Sequence, residues 1–177
     1  MKKRSGTGRI LLFTGDGKGK TTAALGILFR AFGYGMSAKV ISFIKSGDRI
    51  CGEELAAKKM NGIEFDSAGA GFTWLSKDLE KDKRLAREGW EKAKLALSDK
   101  KVNIVLLDEI TYPINYGWIT KEEVVEAAKE RIPNQHLIIT GRDACKELIE
   151  LADTVTEMKE IKHGFKHGIP ATRGIEM

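Results

Sequence analysis

A glycine-rich stretch near the N-terminus, T-G-D-G-K-G-K-T-T (residues 14–22), lies between two segments of different periodicity. The apolar run R-I-L-L-F (residues 9–13) precedes it, and residues 20–32 follow with apolar side chains at helical spacing. A strand, a glycine loop and a helix in this order are typical of a phosphate-binding loop, whose usual pattern is glycine, four residues and then Gly-Lys-Ser/Thr. Here the loop is one residue shorter, because threonine stands at position 14 and the glycine follows at Gly15.

The rest of the chain repeats the alternation of apolar strand and helix. Residues 39–44, 63–65, 103–108, 136–140 and 154–158 are predicted strands, and residues 53–60, 78–98, 120–130 and about 144–151 are predicted helices. Thr120 and Glu123 have the spacing of a capping box. Continuous apolar strands separated by helices predict a parallel sheet covered on both faces. We therefore expect an α/β fold, P-loop NTPase-like, with a mostly parallel sheet of about six strands and helices on both faces.

The length and composition fit a single domain. We expect residues 1–177 to form one P-loop α/β domain, with residues 1–8 as a flexible basic N-terminus and residues 160–177 as an irregular C-terminal segment. No apolar run approaches the roughly 20 residues of a membrane span, and the apolar run after the basic N-terminus is too short for a signal peptide. A cytoplasmic chain with no membrane partner is expected. Cys51 and Cys145 lie far apart in sequence and are expected to be free thiols.

The glycine loop falls where ligands bind in open α/β sheets, beyond the carboxyl ends of the strands. Gly15, Gly17 and Gly19 allow a tight bend and are expected to point successive N–H groups inward. The start of the following helix adds partial positive charge. Lys20 is expected to neutralise phosphate oxygens, and the Thr21 hydroxyl to ligate Mg²⁺. The loop therefore predicts a nucleotide site.

Two acids, Asp108 and Glu109, end the buried segment V-L-L-D-E at the same edge, where a carboxylate can hold Mg²⁺ directly or through water. Adjacent strand residues point to opposite sides of a sheet, so only one of the two is expected to reach the metal. The residues themselves leave open which one. Arg142 follows another strand at this edge and is a candidate contact for phosphate or for substrate side groups, with a solvent-exposed turn arginine as an equal alternative.

Further motifs, in one order along the chain, resemble those of a known family, the ATP:corrinoid adenosyltransferases of the P-loop type. Besides the shortened loop they are F-I-K (43–45), G-F-T-W (71–74), L-L-D-E-I-T-Y (106–112), I-I-T-G-R (138–142), L-A-D-T-V-T-E-M (151–158) and the terminal K-H-x-F…G-I-x-A-x-x-G-I-E. The resemblance covers Ile10 to Glu176. It implies transfer of the 5′-deoxyadenosyl group of ATP to the Co(I) centre of a reduced corrinoid, giving adenosylcorrinoid and tripolyphosphate. It also implies that the short loop holds the triphosphate in a reversed sense, which leaves the ribose C5′ carbon open to attack.

The same resemblance implies roles for individual residues. Glu109 matches the family's Mg²⁺ ligand beside Thr21. Phe72 and Trp74 are implied to lie under the corrin ring and displace the lower axial ligand, which makes the cobalt easier to reduce; ordinary core packing is the alternative for both rings. The expected catalytic residues are Lys20, Phe72 and Trp74, and the expected nucleotide-binding residues are Gly15, Asp16, Gly17, Lys18, Gly19, Lys20, Thr21, Thr22 and Arg142.

Partners are implied in the same way: ATP, a cobalamin or cobinamide-type corrinoid, a reductant protein such as a flavodoxin, and a second copy in a homodimer. Two features depart from the family pattern. The stretch S-G-D-R-I-C-G (46–52) lacks the tryptophan that often follows F-I-K. Longer members carry an N-terminal helix that caps the corrinoid, whereas about eight residues precede the first strand here.

Other functions also use a phosphate loop. A P-loop NTPase acting on or regulated by nucleic acid would make use of the net charge of +5, but the basic residues are not interleaved with aromatic ones as in strand-binding surfaces. Nucleic acid is therefore not the expected partner. A small-molecule kinase usually has an arginine-bearing lid over the γ-phosphate, and no segment has that pattern. A nucleotide-binding regulator without catalysis stays open.

Overall fold

The computed structural model describes residues 8–46, 51–69 and 78–176, and within these ranges strands and helices alternate as the sequence predicts. In chain order the elements are β1 (Ile10–Thr14), α1 (Lys20–Phe32), β2 (Ala38–Ser46), α2 (Gly52–Ala57), β3 (Ile63–Gly69), α3 (Leu79–Leu97), β4 (Ile104–Asp108), α4 (Thr111–Asn115), α5 (Lys121–Glu130), β5 (His136–Thr140), α6 (Lys146–Leu151), β6 (Thr154–Glu157) and a 3₁₀ turn, Gly164–His167.

The strands form one six-stranded sheet in the order β3-β2-β4-β5-β1-β6, and the pairings between neighbours are parallel. The predicted α/β class and the parallel sheet are confirmed. Leu12 of β1 lies opposite Ile139 of β5 on one side and Val155 of β6 on the other. Because the strands are parallel, the carboxyl ends of β1, β4 and β5 lie at one edge of the sheet, and the glycine loop emerges there.

Helices cover both faces of the sheet, as predicted. Successive residues of a strand point to opposite faces, so each central strand contributes to two cores. One core joins α1 to the sheet through Ala24, Leu28, Ala31, Val40, Leu106 and Ile138. The other joins α3, α5 and α6 to the sheet through Trp90, Val124, Leu148, Ile41, Leu107 and Ile139. The sheet is buried between these two layers, which leaves its carboxyl edge as the place for a site.

Most predicted elements are found within two residues of their expected bounds, and three differ. Helix α2 ends at Ala57 and not at the predicted Met60, because the N–H groups of Lys59 and Met60 donate to the carbonyl oxygens three residues back. Strand β3 runs on to Gly69, although D-S-A-G has no apolar pattern, because its pairing with β2 continues through Ser67 and Gly69 and because Ala68 is buried in the core beside α3. Helix α4 was not expected, since Pro113 lies inside it; it is a single short turn in which the missing proline N–H costs little. No helix of the described ranges is long and apolar enough to cross a membrane.

Candidate functional site

The glycine loop between β1 and α1 closes around the side chain of Lys20. Gly15 and Gly19 have φ angles of 91° and 121°, a region that favours glycine because a Cβ atom is strained there. The Lys20 ammonium donates hydrogen bonds to the carbonyl oxygens of Gly15 at 2.6 Å and Gly17 at 2.8 Å. These acceptors are neutral, so they hold the ammonium in place without neutralising its charge.

Burial affects the electrostatics of Lys20, which is 8% exposed. Removal from water lowers its pKa from the usual 10.5, and the neighbouring positive charge of Arg142 lowers it further, while Glu109, Asp16 and Asp108 raise it. A cation in these surroundings gains from any anion placed against it. The loop is therefore suited to a phosphate group.

Gly17 departs from its expected role. Its N–H was expected to point into the loop, but it donates instead to the carbonyl oxygen of Met158 at 2.7 Å, just after β6. A Cβ atom on Gly15 would lie 2.5 Å from that oxygen, and one on Gly17 would lie 2.7 Å from the carbonyl oxygen of Lys159. These two glycines therefore allow the loop to pack closely against the chain that follows β6.

Asp108, at the end of β4, lies directly beside the loop. Its Oδ1 atom accepts hydrogen bonds from the hydroxyls of Thr21 at 2.7 Å and Thr140 at 2.8 Å, and its Oδ2 atom accepts from Ser42 at 3.2 Å. The carboxylate is 1% exposed. Three hydroxyl donors satisfy it, as a buried charge requires.

Glu109 has a left-handed backbone conformation, with φ of 61°. Such a conformation is strained for a residue other than glycine and is often found at functional sites. Its N–H donates to the Thr140 hydroxyl at 2.9 Å, and its negative charge raises the pKa of Lys20. Asp108 thus contacts Thr21, while Glu109 acts on Lys20 through its charge. The choice of Glu109 as metal ligand stays a prediction.

The donor atoms here fit Mg²⁺. A threonine hydroxyl and two carboxylates are hard oxygen ligands, which this ion prefers, and it usually completes its coordination with water and substrate phosphates. In the ranges that the structure describes, no group of three or more histidine, cysteine or acidic side chains gathers to hold a metal. Any Mg²⁺ at Thr21 would therefore depend on the nucleotide for part of its shell.

Arg142 lies beside the loop. Its Nη1 atom is 3.7 Å from Oδ1 of Asp16, and its charge lowers the pKa of Lys20. Gly141, with φ of 148°, precedes it; a Cβ there would lie 1.9 Å from the Thr111 hydroxyl. The guanidinium is half exposed and can turn toward a ligand on the loop.

The remaining predicted residues divide into three groups. Lys18 of the loop and Thr22 of the first turn of α1 are exposed, and the Lys18 ammonium donates to the carbonyl oxygen of Ile175 at 3.3 Å. Phe72 and Trp74 lie outside the described residues, so their predicted place under the corrin ring stays a prediction. Cys51 and Cys145 are free thiols, as predicted.

Three residues of the site were not identified from the sequence: Ser42, Thr140 and Met158. The hydroxyls of Ser42 and Thr140 bind Asp108 because β2 and β5 flank β4 in the sheet. Thr140 is a polar residue at the end of the buried strand H-L-I-I-T. Such a residue indicates a site once the order of the strands is known. Met158 acts through its backbone, and no side-chain pattern indicates that.

Comparison with known proteins gives the family. The family described as ATP:corrinoid adenosyltransferase BtuR/CobO/CobP matches residues 6–177. The corrinoid adenosyltransferase of Escherichia coli (strain K12) is 45% identical over 169 residues, which cover 96% of this chain and 85% of the relative. The corrinoid adenosyltransferase of Pseudomonas aeruginosa is 38% identical over 174 residues, which cover 98% and 85%.

A solved structure has the same fold at low identity. ATPases 2 and 3 of EssC from Geobacillus thermodenitrificans match with a TM-score of 0.51 and 15% identity, over 96% of this chain and 36% of that one. At this identity the likeness concerns the fold alone, which is consistent with the P-loop-like architecture. The expected family and fold class are confirmed. The chain belongs to the ATP:corrinoid adenosyltransferase family.

Proposed function

We propose that this chain transfers the 5′-deoxyadenosyl group of ATP to the Co(I) centre of a reduced corrinoid. One structural observation carries the proposal beyond family membership. The Lys20 ammonium is buried inside a glycine loop that is shortened by one residue. Beside it the Thr21 hydroxyl donates a hydrogen bond to Asp108. Such a loop can hold a triphosphate as a leaving group without supplying a nucleophile.

The proposed reaction balances with the two substrates alone. The electron pair of Co(I) attacks C5′ of ATP, and the cobalt–carbon bond forms as the bond between C5′ and its oxygen breaks. That oxygen departs with the electron pair of the broken bond as part of tripolyphosphate, and the cobalt of the substrate is formally oxidised to Co(III). Because the corrinoid brings its own nucleophile, the protein has to position the substrates and stabilise the negative leaving group.

The cations around the loop suit the second task. Lys20 is already held inside the loop, Arg142 is paired with Asp16 of the loop, and Lys18 is an exposed cation on the loop. Thr21 and Glu109 would hold Mg²⁺. That ion would neutralise part of the triphosphate charge. Each interaction grows stronger as charge moves onto the departing oxygen.

Transfer can be measured directly. The protein is incubated with MgATP and chemically reduced Co(I) corrinoid, the spectrum is followed for a light-sensitive cobalt–carbon bond, and the phosphate product is identified. We expect a photolabile corrinoid together with tripolyphosphate. Orthophosphate released without corrinoid would instead mean a hydrolase, and stimulation by nucleic acid would then be the next measurement.

The metal ligand can be identified by comparing three variants. Glu109→Gln should raise the Mg²⁺ concentration needed for half-maximal transfer by about tenfold or more, because a neutral amide replaces a charged ligand. Asp108→Asn should mainly lower the free energy of unfolding, because three hydroxyls donate to that carboxylate. Glu126→Gln, on the exposed face of α5, is the control. If the Mg²⁺ requirement shifts for Asp108→Asn and not for Glu109→Gln, Asp108 is the ligand.

The proposed role of Trp74 is tested by Trp74→Ala. The variant should bind ATP normally and still adenosylate corrinoid that has been reduced chemically to Co(I). It should fail with Co(II) corrinoid and a mild reductant, because the lower axial ligand would stay on the cobalt. Normal turnover of Co(II) corrinoid by this variant would contradict the role.

The proposal extends to two protein partners. Co(I) must be generated by one-electron reduction of Co(II), so we include a reductant protein such as a flavodoxin. We also include a homodimer, supported by resemblance to the family. Light scattering of the purified protein measures its mass and so tests the dimer. Turnover of Co(II) corrinoid in the presence of reduced flavodoxin tests the reductant.

A further inference from the structure

The Thr140 hydroxyl, at the end of β5, joins the two acids at the end of β4. It accepts a hydrogen bond from the Glu109 N–H at 2.9 Å and donates one to Oδ1 of Asp108 at 2.8 Å. A carboxylate can only accept hydrogen bonds, so the single hydroxyl proton points to Asp108 and the lone pairs are left for the Glu109 N–H. One buried hydroxyl thus holds both acids.

The position of Thr140 is set by the strands on both sides of β5. Thr140 lies opposite Phe13 of β1, and the N–H of the next residue, Gly141, donates to the carbonyl oxygen of Phe13 at 3.1 Å. On the other side, Ile139 lies opposite Leu107 of β4. The Thr140 side chain is fully buried. Its hydroxyl is therefore a fixed point at the carboxyl edge of the sheet.

Glu109 lies between the end of β4 and the start of α4, and its backbone is held by contacts on both sides. Its φ of 61° is strained for a residue with a Cβ atom, so it persists only where the surroundings stabilise it. Its carbonyl oxygen accepts from the N–H of Tyr112 at 3.2 Å, a local contact three residues away. Its bond to Thr140 joins residues 31 positions apart and so fixes Glu109 relative to the sheet.

We propose that Thr140 is a positioning residue for the metal site, whose hydroxyl holds Glu109 in the conformation that keeps its carboxylate at the Mg²⁺ position beside Thr21. This inference rests on the proposed function, in which Thr21 and Glu109 hold the ion. Thr21 and Thr140 donate to the same Asp108 oxygen at 2.7 and 2.8 Å, so the loop ligand and the Glu109 backbone are placed against one atom. Outer partners of this kind orient the ligands of a metal, and their loss lowers metal affinity about 10–100-fold.

The test uses two substitutions of Thr140 and a matched comparison. Thr140→Val keeps the β-branched shape and removes the hydroxyl, and Thr140→Ser keeps the hydroxyl. Ser42→Ala is the comparison, because Ser42 also donates to Asp108, at 3.2 Å, whereas the Glu109 N–H donates to Thr140. The dissociation constant of ATP is measured by isothermal titration calorimetry with Mg²⁺ and with EDTA, and thermal melting is followed without ligands. The ratio of the two dissociation constants measures the gain in affinity due to the ion.

We expect Mg²⁺ to tighten ATP binding by the wild type, and Thr140→Val to reduce that gain about tenfold or more with little change in EDTA. Thr140→Ser should restore the gain. Ser42→Ala should lower the melting temperature, as Thr140→Val does, and retain the gain, because it removes a donor to Asp108 alone. In the Glu109→Gln background the carboxylate is already absent, so Thr140→Val should cause little further loss of the gain.

Several results would overturn the inference. They are a wild type without a gain from Mg²⁺, a Thr140→Val protein that retains the gain, and losses from Thr140→Val and Glu109→Gln that multiply in the double variant. Equal weakening of ATP binding with Mg²⁺ and with EDTA would also overturn it, because that pattern means a general structural role. These measurements need no corrinoid and no turnover. Absence of adenosyl transfer by the wild-type protein would instead overturn the proposed function, so the two failures are distinguishable.

Discussion

At the scale of single residues, Lys20 combines the two properties that a triphosphate site needs. The carbonyl oxygens of Gly15 and Gly17 fix the position of its ammonium, and burial keeps its charge poorly solvated. A bound phosphate would supply the counter-charge that these neutral acceptors do not. The cost of burying the cation is therefore offset when the ligand binds.

Lys20→Met should weaken MgATP binding by about tenfold to a hundredfold, because a hydrogen bond to a charged group contributes about 1.5–3 kcal/mol. Isothermal titration calorimetry measures this, with Lys146→Met, an exposed lysine on α6, as the control. Unchanged MgATP affinity in Lys20→Met would contradict the role of this residue.

The same substitution should raise the free energy of unfolding at pH values below the folded-state pKa of Lys20. Burial lowers that pKa from the usual 10.5, and below it the side chain is charged in both states, so the folded state carries the full cost of burial. Between the folded-state pKa and 10.5 the unfolded chain binds more protons, and the stability of the wild type rises with pH. Urea unfolding should show the advantage of Lys20→Met shrinking as the pH approaches 10.5. A constant difference across this range would contradict the assigned cause.

Some residues of the site could be predicted from the sequence, and others could not. Lys20 and Thr21 were identified because their roles depend on a local motif. The Asp108 contacts with Thr140 join residues 32 positions apart, and they exist only because β4 and β5 are neighbours. For the same reason the predicted direction of the Gly17 N–H was wrong, because its acceptor, the carbonyl oxygen of Met158, belongs to a distant part of the chain.

At the scale of elements, two helical glycines have opposite surroundings. A Cβ atom on Gly89 of α3 would lie 2.3 Å from the Cβ of Ala68 in β3 and 3.4 Å from a ring carbon of Phe43 in β2. A Cβ atom on Gly26 of α1 would have no heavy atom within 4 Å. Gly89 therefore lets α3 approach the sheet closely, while Gly26 has no such packing role.

Alanine at these two positions should have opposite effects on the free energy of unfolding. Gly26→Ala should raise it by about 0.5–1 kcal/mol, because alanine loses less backbone entropy in a helix. Gly89→Ala should lower it by about 1–3 kcal/mol, because the added methyl group overpacks the contact of α3 with β3. Urea denaturation of both variants measures the two effects. Equal stabilisation by both would mean that α3 does not pack closely on β3 at this point.

Helix bounds were predicted well where the ends carry local signals. The bounds of α1 were as predicted, and α5 has the predicted capping box, in which Thr120 and Glu123 bind each other's backbone. The length of β3 was underestimated because its second half is held by pairing with β2 and by the burial of Ala68 against α3, and partners in other elements leave no mark on a local pattern. Tertiary contacts therefore set the bounds of the elements whose ends carry no local signal in the sequence.

At the scale of the whole molecule, the site is assembled at one edge of the sheet from segments that are distant in sequence. The loop follows β1, Asp108 and Glu109 lie at the end of β4, and Arg142 follows β5. Met158, whose carbonyl oxygen accepts from the loop, follows β6. The parallel class of the sheet could be predicted from its continuous apolar strands. The order of strands, which brings these four segments together, could not be predicted, because an apolar pattern shows that a strand is buried and does not show which strands are its neighbours.

The central claim is that cleavage occurs between C5′ and its oxygen and leaves the phosphate chain intact. It is tested most directly with ATP that carries ¹⁸O at the oxygen joining C5′ to the α-phosphate. The protein is given this ATP, Mg²⁺ and Co(I) corrinoid, and the phosphate products are analysed by ³¹P NMR and mass spectrometry. We expect the label in tripolyphosphate and an adenosylcorrinoid without ¹⁸O. Label retained on the nucleoside, with orthophosphate or pyrophosphate as the product, would contradict adenosyl transfer.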